Sequence, residues 1–550
     1  MKRSKIYSRI LFIAIILLSG INQSTAQTHS IILGRPTDVS VTASILFDYN
    51  ADFYLEYGTS SGNYTSTTTV FSNTANFPDE IDLSGLSPDT RYYYRLNYRN
   101  TGSGAYTATP EYIFQTQRAP GSSFTFTIEA DEHLYDKKGV DNMYRVTLEN
   151  QAADHPDFML TLGDIFGDDH TPDSTTLADM DALHLAYRPF LGEICHSVPF
   201  YVCLGNHEGE SDFYLDSTPP NNIAVYGTLT RKKYYPNPSP NSFYSGDTIP
   251  EAFGMDLPEN YYAWTWGDAQ FIVLDVYRTE CHDTLVAKPQ GWNWTLGENQ
   301  YNWLVNTLQQ STARYKFVFA HHLRGQGRGG ILEAPLYEWG GYQSLGGNYT
   351  FQTHRPGWPL SIHELFVNYG VNVFFQGHDH LFAHEVLDSV VYQEVPMAAD
   401  STYEIGMLAN ADAYTADTID GTGHIRVNVS HDCVQVDFVR AYLPADTLSG
   451  VHHNGEIAFS YTIGNCSSGI SDLNGVEEIK AYPNPSSQWV NLKCPEGNNV
   501  QDVYIYNALG EEVMKLKSGV VNVSALPSGL YLAKVDTGKK TFHSKFFVNH

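Results

Sequence analysis

The sequence predicts an α/β domain flanked by two small all-β modules. Between Phe124 and Tyr442, short apolar strands alternate with amphipathic helices, which is the pattern of an α/β layered domain. The segments on either side are rich in strand-forming residues separated by Gly, Asn and Pro. With 550 residues, of which 42% are hydrophobic, the chain is long enough for several domains with buried cores.

The first 26 residues have the pattern of an export signal. A basic start precedes the apolar run Ile10–Leu18 and the small-residue site Ser24–Ala26, so residues 1–26 are assigned to a signal peptide. An uncleaved membrane anchor is the alternative, but the apolar run is short for a bilayer span. Elsewhere the sequence has no candidate transmembrane helix, so we expect none after signal cleavage.

Residues 27–118 form the first all-β module in this interpretation. The run Leu86–Arg95 contains a leucine, a proline turn and a strand of tyrosines. It resembles the late-strand corner of fibronectin type III domains, which implies a β-sandwich that acts as a scaffold.

The α/β domain is assigned to residues 123–465. A stretch rich in Pro, Asn and Tyr, 209–258, is expected to be an irregular insertion. A hairpin is expected over Gly423–Tyr442. The expected strands are Phe124–Ala130, Phe158–Leu162, Val198–Leu204, Phe271–Asp275, Lys316–Ala320 and Val371–Gln376, and the expected helices are Val140–Ala152, Leu177–Ile194, Glu298–Ser311 and Leu360–Tyr369.

Five polar clusters follow five of these strands, where ligands bind in open α/β sheets. They combine carboxylate, amide and imidazole groups, which suit hard or borderline divalent metals. A Gly-Asp pair or an Asp-x-His alone is common in loops, whereas five such clusters in order are not. The clusters are Asp131-Glu132-His133, Gly163-Asp164, Gly205-Asn206-His207-Glu208, His321-His322 and Gly377-His378-Asp379-His380.

This series resembles the calcineurin-like metallophosphoesterase superfamily. The β-module in front and the run Asn260–Trp264 before a strand resemble purple acid phosphatases, over about residues 30–465. The resemblance implies a four-layer αββα sandwich and a metal-dependent phosphoric ester hydrolase. It also implies two metals, the first held by Asp131, His133, Asp164 and His380, and the second by Asp164, Asn206, His321 and His378.

The implied chemistry is attack on phosphorus by a hydroxide that bridges two divalent ions, which are zinc, manganese or iron. Asp164 is the shared ligand, and Asn206 helps to neutralise the phosphoryl oxygens. His207 is expected to bind the phosphate and protonate the leaving oxygen. A phosphate site needs this local positive charge, because the chain carries a net charge of −28.

Three further residues are candidate substrate contacts. Arg324 and Arg328 could clamp a phosphate, or be solvated loop residues. His322 is the reserve candidate for the ligand role of His321. Purple acid phosphatases have an iron-binding tyrosine three residues after the shared aspartate, whereas this chain has Gly167 there, so we expect no purple tyrosinate–iron site.

The final segment, 476–550, contains Ala481–Ser486 and Leu526–Tyr531. These two motifs resemble the C-terminal sorting domain of the bacterial type IX secretion system; a sugar-binding β-sandwich is the alternative. The resemblance implies export through the periplasm to the cell surface or medium, with the secretion machinery as a partner. The acidic surface argues against a nucleic-acid scaffold.

The predicted activity is hydrolysis of phosphate monoesters on small or macromolecular substrates. The same site could instead cleave phosphodiesters, nucleotides or pyrophosphate, because the sequence leaves the choice to the loops 209–258 and 323–358. A remoter alternative is a binding protein with a degenerate phosphoesterase domain. That alternative predicts a missing ligand, and no expected ligand is missing from the sequence.

Overall fold

A computed structural model describes residues 29–135, 138–166, 171–215, 217–279, 291–323, 328–405, 413–466, 477–494, 500–507, 512–537 and 541–549. The predicted signal peptide, residues 1–26, lies outside these ranges. Within them, no helix combines the length and the apolar character that a membrane span requires.

The N-terminal part is a sandwich of two β-sheets. The strands are β1 His29–Gly34, β2 Ser40–Phe47, β3 Ala51–Gly58, β4 Ser66–Thr67, β5 Phe71–Asn73, β6 Asp79–Ser84, β7 Arg91–Asn100, β8 Thr107–Ala108 and β9 Tyr112–Gln115. One sheet has the order β1-β2-β6 and the other β4-β3-β7-β8, with β5 on β3 and β9 on β7. Tyr92, Tyr94 and Leu96 alternate along β7 and are buried between the sheets, as the period of a strand requires. The likeness to fibronectin type III domains stays a prediction.

The middle part alternates strands and helices, as predicted. Its elements are β10 Phe124–Glu129, α1 Asp141–Ala153, β11 Phe158–Thr161, α2 Leu177–Leu191, β12 Phe200–Val202, α3 Asp212–Leu215, α4 Ile223–Tyr234, β13 Ser245–Gly246, β14 Tyr262–Trp266, β15 Ala269–Val273, α5 Gly297–Gln310, β16 Tyr315–Phe319, α6 Tyr337–Gly340, α7 Phe351–His354, α8 Ile362–Tyr369, β17 Val373–Gln376, β18 Phe382–Leu387, β19 Val390–Glu394, β20 Thr418–Ile419, β21 Gly423–Val429, β22 Cys433–Arg440 and β23 Ile457–Gly464.

Two mixed sheets pack face to face and carry helices on their outer faces. The first sheet has the order β12-β11-β10-β21-β22-β23 and the second β13-β14-β15-β16-β17-β19-β18-β20. Aromatic side chains fill the layer between them, among them Phe126 and Phe271. Helices α1, α2 and α4 cover the first sheet, and α5 and α8 cover the second. This is a four-layer αββα arrangement.

One expectation about this part was wrong. The stretch 209–258 is not wholly irregular, because it contains α4, whose first turn is capped by the Asn222 side chain accepting from the Val225 amide at 3.1 Å. The Pro and Asn that dominate its composition lie on either side of this helix.

The buried Arg188 guanidinium donates to the hydroxyl and carbonyl of Ser44 and to the carbonyl of Tyr234, so it connects α2 to the N-terminal sandwich and to α4.

The chain divides into two compact units, Met1–Gly464 and Asn465–His550. The strands of the second unit are β24 Glu477–Glu478, β25 Ala481–Tyr482, β26 Trp489–Leu492, β27 Asp502–Tyr506, β28 Glu512–Leu516, β29 Val520–Asn522, β30 Gly529–Asp536 and β31 Thr541–Val548. They form a five-stranded sheet, β24-β31-β30-β27-β28, and a three-stranded sheet, β25-β26-β29. The Asn484 side chain accepts from the Phe547 amide at 2.7 Å and thus pairs the first predicted motif with β31.

Candidate metal centre

All five polar clusters lie at one edge of the paired sheets. Strands β10, β11 and β12 are parallel neighbours, and so are β15, β16 and β17, so their carboxyl ends point the same way within each sheet. The first sheet supplies Asp131 and His133 after β10, Asp164 after β11, and Asn206 and His207 after β12. The second sheet supplies His321 after β16, and His378 and His380 after β17.

The backbone turns sharply at these positions. Five of the candidate ligands have a positive φ, a conformation that costs a non-glycine residue about 1–3 kcal/mol and that concentrates at functional sites. A Cβ on Gly163 would lie 2.2 Å from the Gly205 nitrogen, so glycine is required where the second and third clusters meet. The five angles are 57° at Asp131, 48° at His133, 58° at Asp164, 76° at His378 and 56° at His380.

One group of ligand atoms centres on Asp131. Its Oδ1 lies 3.4 Å from Nε2 of His380 and 3.8 Å from Nε2 of His133. The two imidazole Nε2 atoms are 3.1 Å apart. Ligand atoms of the three residues lie within 4.8 Å of one another, and all three residues are buried. One metal ion could therefore contact all three.

The other group centres on Asp164. Its Oδ2 lies 3.1 Å from Nε2 of His321, which is 3.2 Å from Nδ1 of His378. The same Oδ2 lies 3.7 Å from Nε2 of His133, in the first group. Asp164 thus lies between the two groups, in the position that a ligand shared by two ions would occupy.

Among the oxygens of the predicted ligands, Oδ1 of Asp131 and Oδ1 of Asn206 are buried and have no hydrogen-bond partner in the described part of the chain, as is also true of both carboxylate oxygens of the neighbouring Glu132. Buried polar atoms are nearly always paired, so orphaned acceptors need an explanation. The Asp131 and Asn206 oxygens belong to predicted metal ligands. A carboxylate oxygen and an amide oxygen beside imidazoles form a donor set that divalent cations accept, so the residues present fit a metal centre.

The electrostatics of the site reflect the same pairing. Burial opposes charging of His321, but the carboxylates of Asp164 and Asp131 raise its pKa to about 9. Burial would raise the pKa of Asp164, but His321 and His207 hold it well below its usual value. The two carboxylates thus favour a cation at the position that Nε2 of His321 faces, and a metal ion bound there would displace its proton.

Around the ligands, the other predicted site residues differ in their surroundings. His207 has 18% of its side chain exposed, and its Nε2 lies 3.9 Å from Oδ2 of Asp164. The His322 ring is buried, with its centroid 5.3 Å from that of His378. Arg324 and Gly167 lie outside the described residues.

Arg328 has an acidic partner beside the ligands. Its Nη1 donates to Asp379 at 2.7 Å and to the His378 carbonyl at 3.1 Å, and 33% of its side chain is exposed. The guanidinium is therefore bonded to the turn that carries the last two histidines.

Two acidic residues inside the motifs have supporting roles that the sequence analysis did not assign. Glu208 accepts from the amides of Asp164, Ile165 and Gly205, at 3.0, 2.9 and 2.6 Å. Asp379, between two predicted ligands, accepts from Arg328 and from the Tyr414 hydroxyl. The signal available in the sequence was their position within the motifs, which shows neither the acceptor role nor the partners.

Comparisons with known proteins agree with this geometry. Residues 124–382 match the family model of the calcineurin-like phosphoesterases, and residues 480–549 match that of the secretion system C-terminal sorting domain. No curated protein matches the chain significantly in sequence.

Solved structures are similar to the chain in fold. A structure of PhoD has a TM-score of 0.54 at 16% identity and covers 79% of this chain and 90% of its own. Purple acid phosphatase PPD1 from yellow lupin seeds has a TM-score of 0.52 at 14% identity, covering 79% of this chain and 74% of its own. At such identities the likeness shows the fold.

The sorting domain indicates secretion to the cell surface or the extracellular space by the type IX system. Residues 124–382 therefore form a calcineurin-like phosphoesterase domain, that of a metal-dependent phosphoric ester hydrolase, in a chain that ends in a secretion sorting domain.

Proposed function

We propose that the protein is a secreted phosphomonoesterase with a dinuclear metal centre. The observation that carries the proposal is the position of Asp164, whose Oδ2 lies within 4 Å of Nε2 of His133, His207 and His321. A carboxylate between two groups of imidazoles is the arrangement that two neighbouring cations require.

The first ion would be held by Asp131, His133, Asp164 and His380. The second would be held by Asp164, Asn206, His321 and His378. When bound, the two ions supply positive charge for the phosphoryl oxygens and lower the pKa of water, and zinc, manganese and iron all suit these ligands.

The chain's own residues bind the ester and handle the proton. In this proposal the carboxamide of Asn206 and the imidazole of His207 orient the phosphoryl group, supported by their position beside Asp164 at the strand ends. His207 is the more exposed of the two, and its Nε2 lies 3.9 Å from Oδ2 of Asp164. We assign to it the transfer of a proton to the leaving oxygen.

The monoester assignment rests on the overall arrangement. The β-sandwich in front of an αββα domain is an architecture that a purple acid phosphatase shares with this chain at the level of fold. Arg328 is half-exposed and beside the ligands, but its bonds to Asp379 and His378 favour a structural role over a phosphate clamp.

The test is hydrolysis of p-nitrophenyl phosphate and bis-p-nitrophenyl phosphate by the full-length secreted protein, with bound metal measured in the same samples. We expect metal-dependent release from the monoester to dominate. A preference for the diester would keep the same residues but move the substrate class to phosphodiesters. Absence of both turnover and bound metal would overturn the proposal.

A further inference from the structure

Metal-binding imidazoles usually donate their second ring nitrogen to a neighbouring acceptor, which fixes the tautomer and the ring orientation. His321 follows this rule through the main chain. Its Nδ1 lies 2.9 Å from the Leu162 carbonyl, so the ring donates there and directs Nε2 toward Asp164 at 3.1 Å. Because the acceptor is a backbone atom after β11, no side-chain substitution removes it.

His380 lacks such an acceptor. Its Nε2 faces Asp131 at 3.4 Å, whereas its Nδ1 is buried without a hydrogen-bond partner among the described residues. Within the Asp131 group, this leaves His133 as the imidazole whose orientation can be fixed by a hydrogen bond at the second nitrogen.

The acceptor for His133 is the side chain of Tyr135. The Tyr135 hydroxyl lies 3.1 Å from Nδ1 of His133. When Nε2 of His133, which faces Asp131 and Asp164, binds a metal ion, Nδ1 carries the proton of the neutral ring and donates it to the phenol oxygen. The Tyr135 amide donates to the Tyr187 hydroxyl of α2 at 3.1 Å, so the segment that carries the acceptor is itself held by the helix layer.

We propose that Tyr135 is a positioning residue that orients His133 for metal binding and thereby sets the affinity of the ion in the Asp131 group. The backbone at His133, with φ of 48°, is in a conformation that surrounding contacts must maintain. Removing a hydrogen-bond partner of a metal-binding histidine typically lowers metal affinity about 10–100-fold. The ion at the Asp164 group should be unaffected, because Leu162 does the equivalent work there.

This inference rests on the proposed dinuclear centre, and the experiment separates the two. Metal-free wild-type protein and Y135F are titrated with cobalt(II), and the visible absorption of the bound ion is followed against a chelator of known affinity. Metal per chain is measured by mass spectrometry after dialysis. We expect wild type to bind two ions, and Y135F to bind one with wild-type affinity and the other about 10–100-fold more weakly.

Y301F is the matched control. The Tyr301 hydroxyl also donates to an acceptor, the Leu360 carbonyl at 2.6 Å, but it lies on α5 and touches no predicted ligand. Two wild-type affinities in Y135F would overturn the role of Tyr135 while leaving the dinuclear centre intact. Equal weakening of both ions together with a lower Tm of the metal-free variant would also overturn it, because it would indicate general unfolding. Wild-type protein that binds no metal would refute the centre itself.

Discussion

The two sheets of the α/β part contribute different chemistry to one site. The first sheet supplies every predicted oxygen ligand, Asp131, Asp164 and Asn206, together with the imidazole of His133. The predicted ligands on the second sheet are all imidazoles, those of His321, His378 and His380. The Asp131 group and the Asp164 group each draw on both sheets, whereas a third group, His133, Asp164 and His207, lies wholly on the first. A metal centre of this composition therefore forms only where the sheets are stacked in the correct alignment.

Hydrogen bonds also join the two sheets at the site. The His378 amide donates to Oδ2 of Asp131 at 2.8 Å, and Nδ1 of His321 donates to the Leu162 carbonyl. Both sheets carry predicted ligands on turns with positive φ, and each has a glycine with no room for a Cβ there, Gly163 on the first sheet and Gly377 on the second. Alignment of the sheets, support of the turns and the ligands themselves are thus separate contributions that substitutions can separate.

The largest effect is expected for Asp164→Asn, which removes the charge shared by both groups. We expect turnover to fall at least about 10⁴-fold, the scale of losing one member of a catalytic unit, with the fold retained. The check is kcat on p-nitrophenyl phosphate with metal content and circular dichroism of the same sample. Asp141→Asn, an exposed aspartate at the start of α1, is the matched control. Wild-type turnover in folded Asp164→Asn would refute the assignment.

The alignment of the sheets is tested by Phe126→Ala. The Phe126 ring is fully buried on the first sheet and lies 5.0 Å from Phe271 and 5.5 Å from Phe317 of the second. We expect a loss of about 3–5 kcal/mol in the free energy of unfolding from the cavity. Urea unfolding followed by tryptophan fluorescence measures it. Phe253→Ala, at a ring 47% exposed, should cost less than about 0.5 kcal/mol. Equal costs would contradict the role of the intersheet layer.

His207 has 18% of its side chain exposed and lies outside the Asp131 and Asp164 groups, although it forms a further group with His133 and Asp164. Its substitution therefore leaves the predicted ligands of both ions in place. A general acid matters most for a poor leaving group, and its loss typically costs 10²-fold or more. We expect His207→Ala to lower kcat by about 10²-fold on an alkyl phosphate and by less on p-nitrophenyl phosphate. His431→Ala, an exposed histidine paired with Asp268, is the control. The same loss on both substrates would show that His207 does not donate the proton.

The sheet edge at which the predicted ligands meet was predictable from the sequence, because each of the five polar clusters directly follows a predicted strand. Helix α1 and strand β11 lie within two residues of the predicted bounds. The partners were not predictable. Tyr135 is adjacent to its motif, but only the turn at His133 brings its hydroxyl onto the ring. The sequence offers Arg328 as a phosphate clamp or a solvated loop residue, and it does not reveal the carboxylate partner, because Asp379 is 51 residues away in sequence.

Burial explains the other omissions. Glu208 belongs to the third motif, but a glutamate that follows a histidine in sequence suggests an exposed side chain or a metal ligand more readily than a buried acceptor of backbone amides. The composition of 209–258 does not reveal helix α4, because the Pro and Asn residues on either side of the helix dominate the average over the whole stretch. Such features depend on which long-range neighbours a loop meets, and local periodicity carries no information about them.

The smallest effect is expected for Glu208→Gln, which tests how the turns of the oxygen-supplying sheet are held. The carboxylate accepts three amides, two of them at Asp164 and Gly205, and burial together with the Asp164 charge raises the pKa of Glu208 to about 7. A glutamine has one acceptor oxygen and places N–H groups against amide donors, so at least one amide loses its partner. We expect metal affinity to fall about 10-fold while kcat at saturating metal stays within about threefold of wild type. Chelator competition measures the first and steady-state kinetics the second, with exposed Glu298→Gln as the control. Unchanged affinity would mean that the second sheet alone maintains the position of Asp164, through the 3.1 Å contact with His321.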